Sequence, residues 1–312
     1  MMDQMPTVAV LMSTYNGEKY IREQLDSIFN QKNVQVKLFV RDDGSKDSTV
    51  GILEEYARRF PVEIILDGEN ILPGESFMRL VYKYASVPRI DYYAFADQDD
   101  VWLPDKLSVA VEKIDKCSAN VPVLYGSNQY IYTNGEIKGD RYKTPQRVDL
   151  ISHMTKNTIA GCTFVFNKGL AQLVAGAERP DSRILRYRLH DAWMMLVAIT
   201  CGEAIYDGTS HMLYRIHAEN VVGLKRISLS DKIVHLRRML DKKSSNIRMV
   251  TAKELIRLFP TMNENSKRVL QLYADYKKSK NDRIALLINH DIIAGCQEPP
   301  VVFRLKILLG LL

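Results

Sequence analysis

The first hundred residues alternate short apolar runs with amphipathic stretches, and this rhythm constrains the fold more than any other feature of the chain. Residues 7–13 (TVAVLMS) form a Val-rich run of strand length. Tyr20, Ile21, Leu25, Ile28 and Phe29 then recur at helical spacing. Residues 36–43 (VKLFVRDD) predict a second strand, and residues 45–60 a second helix with Ser45 or Asp47 at its N-cap. Residues 62–67, 74–85 and 91–97 predict a third strand, a third helix and a fourth strand, and Pro104 suits the first turn of a fourth helix. Such alternation with short links predicts an α/β fold, a parallel sheet with helices on both faces. Residues 121–133 read as further strand, residues 141–220 are less regular, and from about Ile227 the pattern is helical almost to the end.

Ligands on parallel sheets bind outside the carboxyl ends of the strands. Ser13, Tyr15, Asp42, Asp43, Asp97 and Asp99 all fall at or just past predicted strand ends, so groups from three strands face one crevice. The densest chemistry is in YYAFADQDDVWLP (residues 92–104), which sets Asp97, Asp99 and Asp100 within four positions directly after an apolar strand. Crowded carboxylates raise one another's pKa unless a cation neutralises them. Mg2+ or Mn2+, with phosphate oxygens completing its shell, is the natural partner. A solvated acidic turn is the plainer alternative. RDDGSKDST (residues 41–49) likewise suits either a strand-to-helix turn or a carboxylate that accepts hydrogen bonds from a base or ribose.

Composition bounds the class. Hydrophobic residues make up 46% and charged residues 26% of 312, as in a soluble protein of one large domain or two ordinary ones. There is no apolar run of about 20 residues, so no membrane span is expected. The N-terminus lacks a basic start and a small-residue cleavage site, so no signal peptide is expected. Cys117, Cys162, Cys201 and Cys296 are scattered, which fits reduced thiols in a cytoplasmic protein.

The net charge of +6 is unevenly placed: 18 Lys and Arg face 8 Asp and Glu from Lys225 onward, against 25 and 29 before it. A basic C-terminal region suits nucleic acid, an anionic membrane surface, an anionic substrate, or simply solvated helix faces. No nucleic-acid-binding motif accompanies it, and nucleic acid is not expected as a partner. Residues 299–312 (PPVVFRLKILLGLL) read equally as an amphipathic helix lying on a membrane and as a terminal helix docked on its own core.

Six motifs in order, VLMSTYNGEKYIREQLDSI, VRDDGSKDST, FADQDDVWLPDKL, GCTFVFNK, LHDAWM and LYRIHAENVVG, together resemble the family 2 glycosyltransferases of the GT-A fold, most closely the rhamnosyltransferase-like bacterial enzymes. The resemblance covers residues 6–223. It implies a Rossmann-like, mostly parallel sheet flanked by helices over residues 1–223, with residues 224–312 as a basic, mostly helical extension. It implies an inverting transferase with a nucleotide-sugar donor, dTDP-L-rhamnose first and a UDP-hexose second, and a glycan or lipid-linked glycan acceptor. A cytoplasmic location follows, peripheral on the inner face of the membrane, with the C-terminal region meeting an anionic membrane surface. The oligomeric state is left open.

By position, Ser13, Tyr15, Asp42, Asp43 and Asp97 match nucleotide-binding positions, and Asp43 the acid on the base. Asp99 and His217 match metal ligands for Mg2+ or Mn2+, and Asp191 matches the general base. Gly161 matches the glycine loop near donor and acceptor, and Trp102 is expected to pack near the donor. His190 and Arg215 are weaker donor or acceptor contacts. Read as residues alone, His190 and His211 are satisfied histidines, and Arg215, Arg141 and Lys143 are either anion contacts or solvated surface groups. His190 before Asp191 departs from the acidic pair of many relatives and fits the rhamnosyltransferase-like subgroup. At a helix N-terminus, Asp191 is expected to have a lowered pKa. A binding protein of the same fold without turnover is the alternative. A dinucleotide oxidoreductase is disfavoured, because STYNGEKY stands where a GxGxxG loop would.

Overall fold

The structure, a computed structural model, describes residues 5–118, 121–217 and 246–312. Its first half follows the predicted alternation: β1 (Thr7–Thr14), α1 (Ile21–Phe29), β2 (Gln35–Asp42), α2 (Thr49–Ala57), β3 (Val62–Leu66), α3 (Pro73–Tyr84) and β4 (Tyr92–Ala96). Strands β3, β2, β1 and β4 lie side by side and parallel. Strand β1 shows why. Val8, Val10 and Met12 enter one buried cluster with α1 and α2, while Ala9 and Leu11 enter another with α3. A strand buried on both faces has no polar positions to spare, which is the sequence signature of a doubly covered parallel sheet.

Beyond β4 the sheet becomes mixed. The chain continues as β5 (Val101–Trp102), α4 (Lys106–Asp115), β6 (Val123–Thr133), β7 (Glu136–Asp140), α5 (Leu150–Thr155), β8 (Val165–Asn167), α6 (Lys168–Gly176), α7 (Ser182–Tyr187), α8 (Leu189–Cys201) and β9 (Glu203–Arg215). The order is β3-β2-β1-β4-β8-β6-β9-β5, with β7 paired to β6. Strand β8 runs antiparallel between β4 and β6, and β6 pairs with β9 in parallel. The stretch that reads as less regular ends in one long strand, β9, of 13 residues. Its register with β6 shifts at Ser127 and Asn128, which bends the pair.

Helices α9 (Ile247–Leu258), α10 (Glu264–Asp275), α11 (Lys280–Ile288), α12 (His290–Gly295) and α13 (Pro300–Leu309) complete the chain. Leu255, Leu270, Tyr273, Phe303 and Ile307 join the same buried cluster as Trp193 and Met195 of α8. The helical extension is therefore packed on the sheet's α3–α8 side. The expected boundary at 223/224 lies outside the described residues.

Candidate active site

The ends of β1, β2 and β4 adjoin, so their exits share one crevice. Ser13 donates to Ser76 Oγ at 2.7 Å. Tyr15, 47% exposed, is clipped to the next exit: its amide donates to Gln98 Oε1 (2.9 Å), and Gln98 Nε2 donates to its carbonyl (3.0 Å). A Cβ on Gly17 would stand 2.3 Å from that Gln98 oxygen, so only glycine admits the clip.

Both acids of the β2 exit are buried and well supplied with donors. Asp42 accepts from Thr14 Oγ1 (2.8 Å), Gly44 N (3.1 Å), Ser45 N (2.7 Å) and Ser45 Oγ (2.6 Å), and Gly44 takes a φ of 87° to make this turn. Asp43 accepts from Ile71 N (2.9 Å), Leu72 N (3.1 Å) and Arg41. Arg41 is fully buried and also donates to Asp67, Ser76 and the Glu69 carbonyl. Of the expected pair, Asp42 has filled its four acceptor sites, and Asp43 retains capacity on Oδ2. Neither expected residue is the N-cap of α2, which is Ser48: Asp47, one position earlier, accepts the Thr49 amide (3.0 Å), and Ser45 donates to Asp42.

The β4 exit is different. Pairing of β5 with β9, Val101 with Leu213 and Trp102 with Met212, folds the acidic loop back against the end of β9. That brings Asp99 and His217 together, the His217 ring nitrogen lying 2.6 Å from Asp99 Oδ2. The Arg215 amide donates to Asp100 Oδ1 at 3.2 Å. Burial and the charges of Asp99 and Asp191 push the Asp97 carboxyl up to about 7. Asp100 is fully buried, its Oδ2 has no hydrogen-bond partner, and burial with the Asp99 and Asp97 charges raises it well above the carboxylate range.

One oxygen each from Asp97 and Asp100 and the Cys162 sulfur lie within 4.8 Å of one another. Burial, then the two carboxylates, push the thiol up, so it stays protonated beside them. Beneath the loop, Lys106 is fully buried, its Nζ unpartnered by any hydrogen bond and 3.8 Å from the centre of the Trp102 ring. Asp97, Asp100 and Cys162 form one cluster and Asp99 with His217 an adjoining pair, and carboxylate oxygens and an imidazole are donors suited to a divalent cation.

The 3-10 turn Gly161–Thr163 precedes β8 and packs on the start of α8. A Cβ on Gly161 would lie 2.9 Å from Asp191 Cβ and 3.0 Å from His190 Nε2, so the glycine lets the turn approach the acid. Asp191 sits in the first turn of α8 and accepts the Ala192 amide at 2.7 Å. Its pKa is pushed up to about 6, not lowered, because burial outweighs the amide bonds from Ala192 and Gly161. Asp191 and Asp97 are electrostatic neighbours, so the start of α8 lies close to the acidic loop.

Three weaker expectations change. Trp102 is only 3% exposed and belongs to the core behind the loop, so it backs the loop and does not line the crevice. His190 is 6% exposed and stacks on Phe77 (4.0 Å between centroids) and edge-on to Phe95 (4.8 Å). Burial drives it down to about 3, so it is a neutral ring supporting Gly161. Arg215 turns away, its guanidinium between the Tyr20 and Tyr132 rings and ion-paired with Glu23, its Nε on the Asp99 carbonyl (2.8 Å). It braces the loop. Cys162, Lys106 and Gln98 were missed by sequence reasoning. The signal for each was its place inside a quoted motif: Gln98 between Asp97 and Asp99, Lys106 in the same run, and Cys162 next to Gly161.

The family model described as "Glycosyl transferase family 2" matches residues 9–173. The dTDP-rhamnosyl transferase RfbG of Shigella flexneri is 34% identical over 224 residues, spanning 68% of this chain and 73% of that protein. The UDP-Glc:alpha-D-GlcNAc-diphosphoundecaprenol beta-1,3-glucosyltransferase WfgD of Escherichia coli is 30% identical over 159 residues, 51% of this chain and 58% of that one. Among solved structures, S. aureus TarS 1-349 in complex with UDP-GlcNAc overlays with a TM-score of 0.57 at 18% identity, covering 93% of this chain and 79% of that chain. The mannosyltransferase PcManGT from Pyrobaculum calidifontis, in complex with GDP-Man and Mn2+, gives 0.50 at 16%, covering 97% and 88%. At these identities the structural likeness speaks for the GT-A fold alone.

Proposed function

The chain belongs to glycosyl transferase family 2 and is a glycosyltransferase of the GT-A fold, and from that premise we propose that it transfers a sugar, with inversion, from a nucleotide sugar to a glycan or lipid-linked glycan. L-Rhamnose from dTDP-L-rhamnose is the first choice of donor, in keeping with the RfbG similarity, and a UDP-hexose, in keeping with WfgD, is the second. The setting proposed is bacterial surface polysaccharide synthesis. The observation that carries the reading is the meeting of Asp191 with the Asp97–Asp100 loop across one crevice at the ends of β1, β2 and β4.

In this reading Ser13, Tyr15 and the open oxygen of Asp43 receive the nucleoside, with Asp97 near the donor. Asp99 and His217 would hold Mg2+ or Mn2+, and the ion, when bound, would supply Lewis-acid stabilisation of the charge growing on the departing diphosphate. Asp191 takes the acceptor hydroxyl's proton as that oxygen attacks the anomeric carbon. A new C–O bond forms there, the bond to the diphosphate oxygen breaks, and the nucleoside diphosphate leaves with the electron pair. A carboxylate with a pKa of about 6 remains ionised near neutrality and is a stronger base than an ordinary aspartate.

A screen of nucleotide sugars with Mg2+ or Mn2+, read by thermal shift and then by nucleoside diphosphate release, tests the reading. A hundredfold excess of a bound donor over its dissociation constant stabilises by about 2.7 kcal/mol. A donor that shifts the protein equally in EDTA would remove the metal from it, and donor binding without any release would leave a binding protein.

Among the described residues no helix is long and apolar enough to cross a membrane. We propose peripheral contact instead. Phe303 and Ile307 dock α13 on the core, while Val301, Leu305, Leu308 and Leu309 are exposed beside Arg304. Serine at positions 305, 308 and 309 should lower flotation with anionic vesicles, and unchanged flotation would exclude this face.

A further inference from the structure

Arg141 directly follows β7 and is half-buried. Its guanidinium carbon lies 5.2 Å from the centre of the Tyr142 ring and 5.1 Å from that of Tyr214. Tyr214 is the residue of β9 just before Arg215, and its electrostatic neighbours include Cys162, Arg141, Asp100 and Asp97. Tyr142 is fastened on several sides: its amide donates to Asn128 Oδ1 (3.1 Å), its carbonyl accepts from Asn128 Nδ2 (2.9 Å), and its hydroxyl donates to the Thr158 carbonyl (2.5 Å). Thr158 lies on the approach to Gly161, which packs on Asp191. The two rings thus hold the guanidinium between the acidic loop and the segment beside the base.

The side chain is placed but not used. Among the described residues no hydrogen bond or ion pair of the Arg141 guanidinium is present, and its Nε is desolvated without a partner. Next to it, the Arg141 amide donates to the carbonyl of Gln129 (2.8 Å), whose side-chain amide is fully buried with neither its oxygen nor its nitrogen partnered. Stacking rings engage the faces of a guanidinium and leave its in-plane donors for an anion. The contrast with Arg41, whose donors are all directed at protein acceptors, marks Arg141 as built for an acceptor that comes from outside.

We propose that Arg141, held between Tyr142 and Tyr214, is an anion-receiving site of the crevice, taking an oxygen of a diphosphate ester opposite the acidic loop. The proposal rests on the glycosyltransferase reading for its place in the reaction. The diphosphate belongs either to the nucleotide donor or to a lipid-linked acceptor, and both present the same chemistry.

The test is calorimetric titration of the full chain, with Mn2+, by three probes: inorganic pyrophosphate, dTDP and farnesyl diphosphate. Arg141→Met should weaken at least one by about tenfold or more, as expected for losing a charge-assisted hydrogen bond. Weakening of dTDP but not farnesyl diphosphate assigns the donor, and the reverse assigns the acceptor. Arg141→Gln, which keeps most of the stem and an amide, repeats the measurement if the Met variant does not fold. Affinities unchanged for all three probes, or a wild-type chain that binds none of them, would overturn the proposal. Binding of pyrophosphate or farnesyl diphosphate without dTDP would count against a dTDP-sugar donor while leaving Arg141 to be judged on the probes that bind.

Discussion

Two acidic turns leave strands on either side of β1, each with a buried cation below it, and they are finished to different degrees. At the β2 exit Asp42 accepts four hydrogen bonds and Asp43 three, and Arg41 directs its donors at Asp43, Asp67, Ser76 and a carbonyl. At the β4 exit Asp100 Oδ2 and Lys106 Nζ are buried with no hydrogen-bond partner, and Asp97 is pushed up to about 7. The first turn is a closed network that holds its shape without a ligand. The second carries an electrostatic cost that an arriving cation would relieve. An acid at a strand end is thus not in itself a site, and unspent hydrogen-bonding capacity is what separates a site from its scaffold.

The largest test of that contrast is Asp99→Asn. It should cut transfer by about a thousandfold or more, the rate equivalent of losing several kcal/mol of Lewis-acid stabilisation. EDTA should do the same to the wild type. Near-wild-type rates at saturating Mn2+ would reduce the loop to scaffold.

Asp191→Asn comes next, with an expected loss of about a hundredfold to ten-thousandfold while donor binding persists. Because burial pushes the Asp191 carboxyl up to about 6, the base gains a proton as the pH falls through that value. The value of kcat/KM should therefore fall below about pH 6, where an ordinary aspartate would hold its charge down to about pH 4. A profile flat to that lower limit would unseat Asp191.

The closed turn should respond in the opposite currency. Asp42→Asn puts an amide donor against the Gly44 and Ser45 amides or the Thr14 and Ser45 hydroxyls, leaving buried groups unsatisfied. Stability should fall by about 1–3 kcal/mol, read by denaturant unfolding, with kcat almost unchanged. A large loss of kcat at full stability would mean that the closed turn is also part of the chemistry.

This contrast also marks how far the sequence could be read. The strand–helix alternation, the strand-end acids and the helix carrying Asp191 were legible because each is written in local periodicity and turn chemistry. Asp99 and His217 could be paired on paper through motif resemblance, and the β5–β9 pairing makes that pair physical. The local pattern does not carry the parallel β6–β9 pairing, or the gathering of Cys162 and Lys106 under the loop, since these arise from contacts between distant segments. The same holds for the roles of Trp102, His190 and Arg215. Each is named by its motif, but only packing decides whether a side chain faces ligand or core. Asp191 shows the limit in energetic form: its helix position argues for a low pKa, and burial, invisible in the sequence, reverses the sign.

The smallest and sharpest test is Lys106→Met. The side chain is fully buried over Trp102 with Asp100 and Cys162 as electrostatic neighbours, and burial pushes its ammonium down to about 7. Methionine has a similar length and no charge. If the lower layer of the acidic loop is unfinished, removing an unpartnered buried ammonium should not destabilise the fold, because no hydrogen bond is lost and a desolvated charge disappears. It should also remove a like charge near the cation site and tighten Mn2+ binding by about threefold to tenfold, a modest Coulomb effect at protein-like dielectric. The direction with pH is fixed. The ammonium carries its charge below about pH 7, so the difference between variant and wild type should be greatest there and fade above it. Mn2+ titrations at two pH values would read this. If the variant is instead less stable and binds Mn2+ more weakly, Lys106 and Asp100 form a working pair like Arg41 and Asp43, and the two turns differ in their ligands, not in how completely they are built.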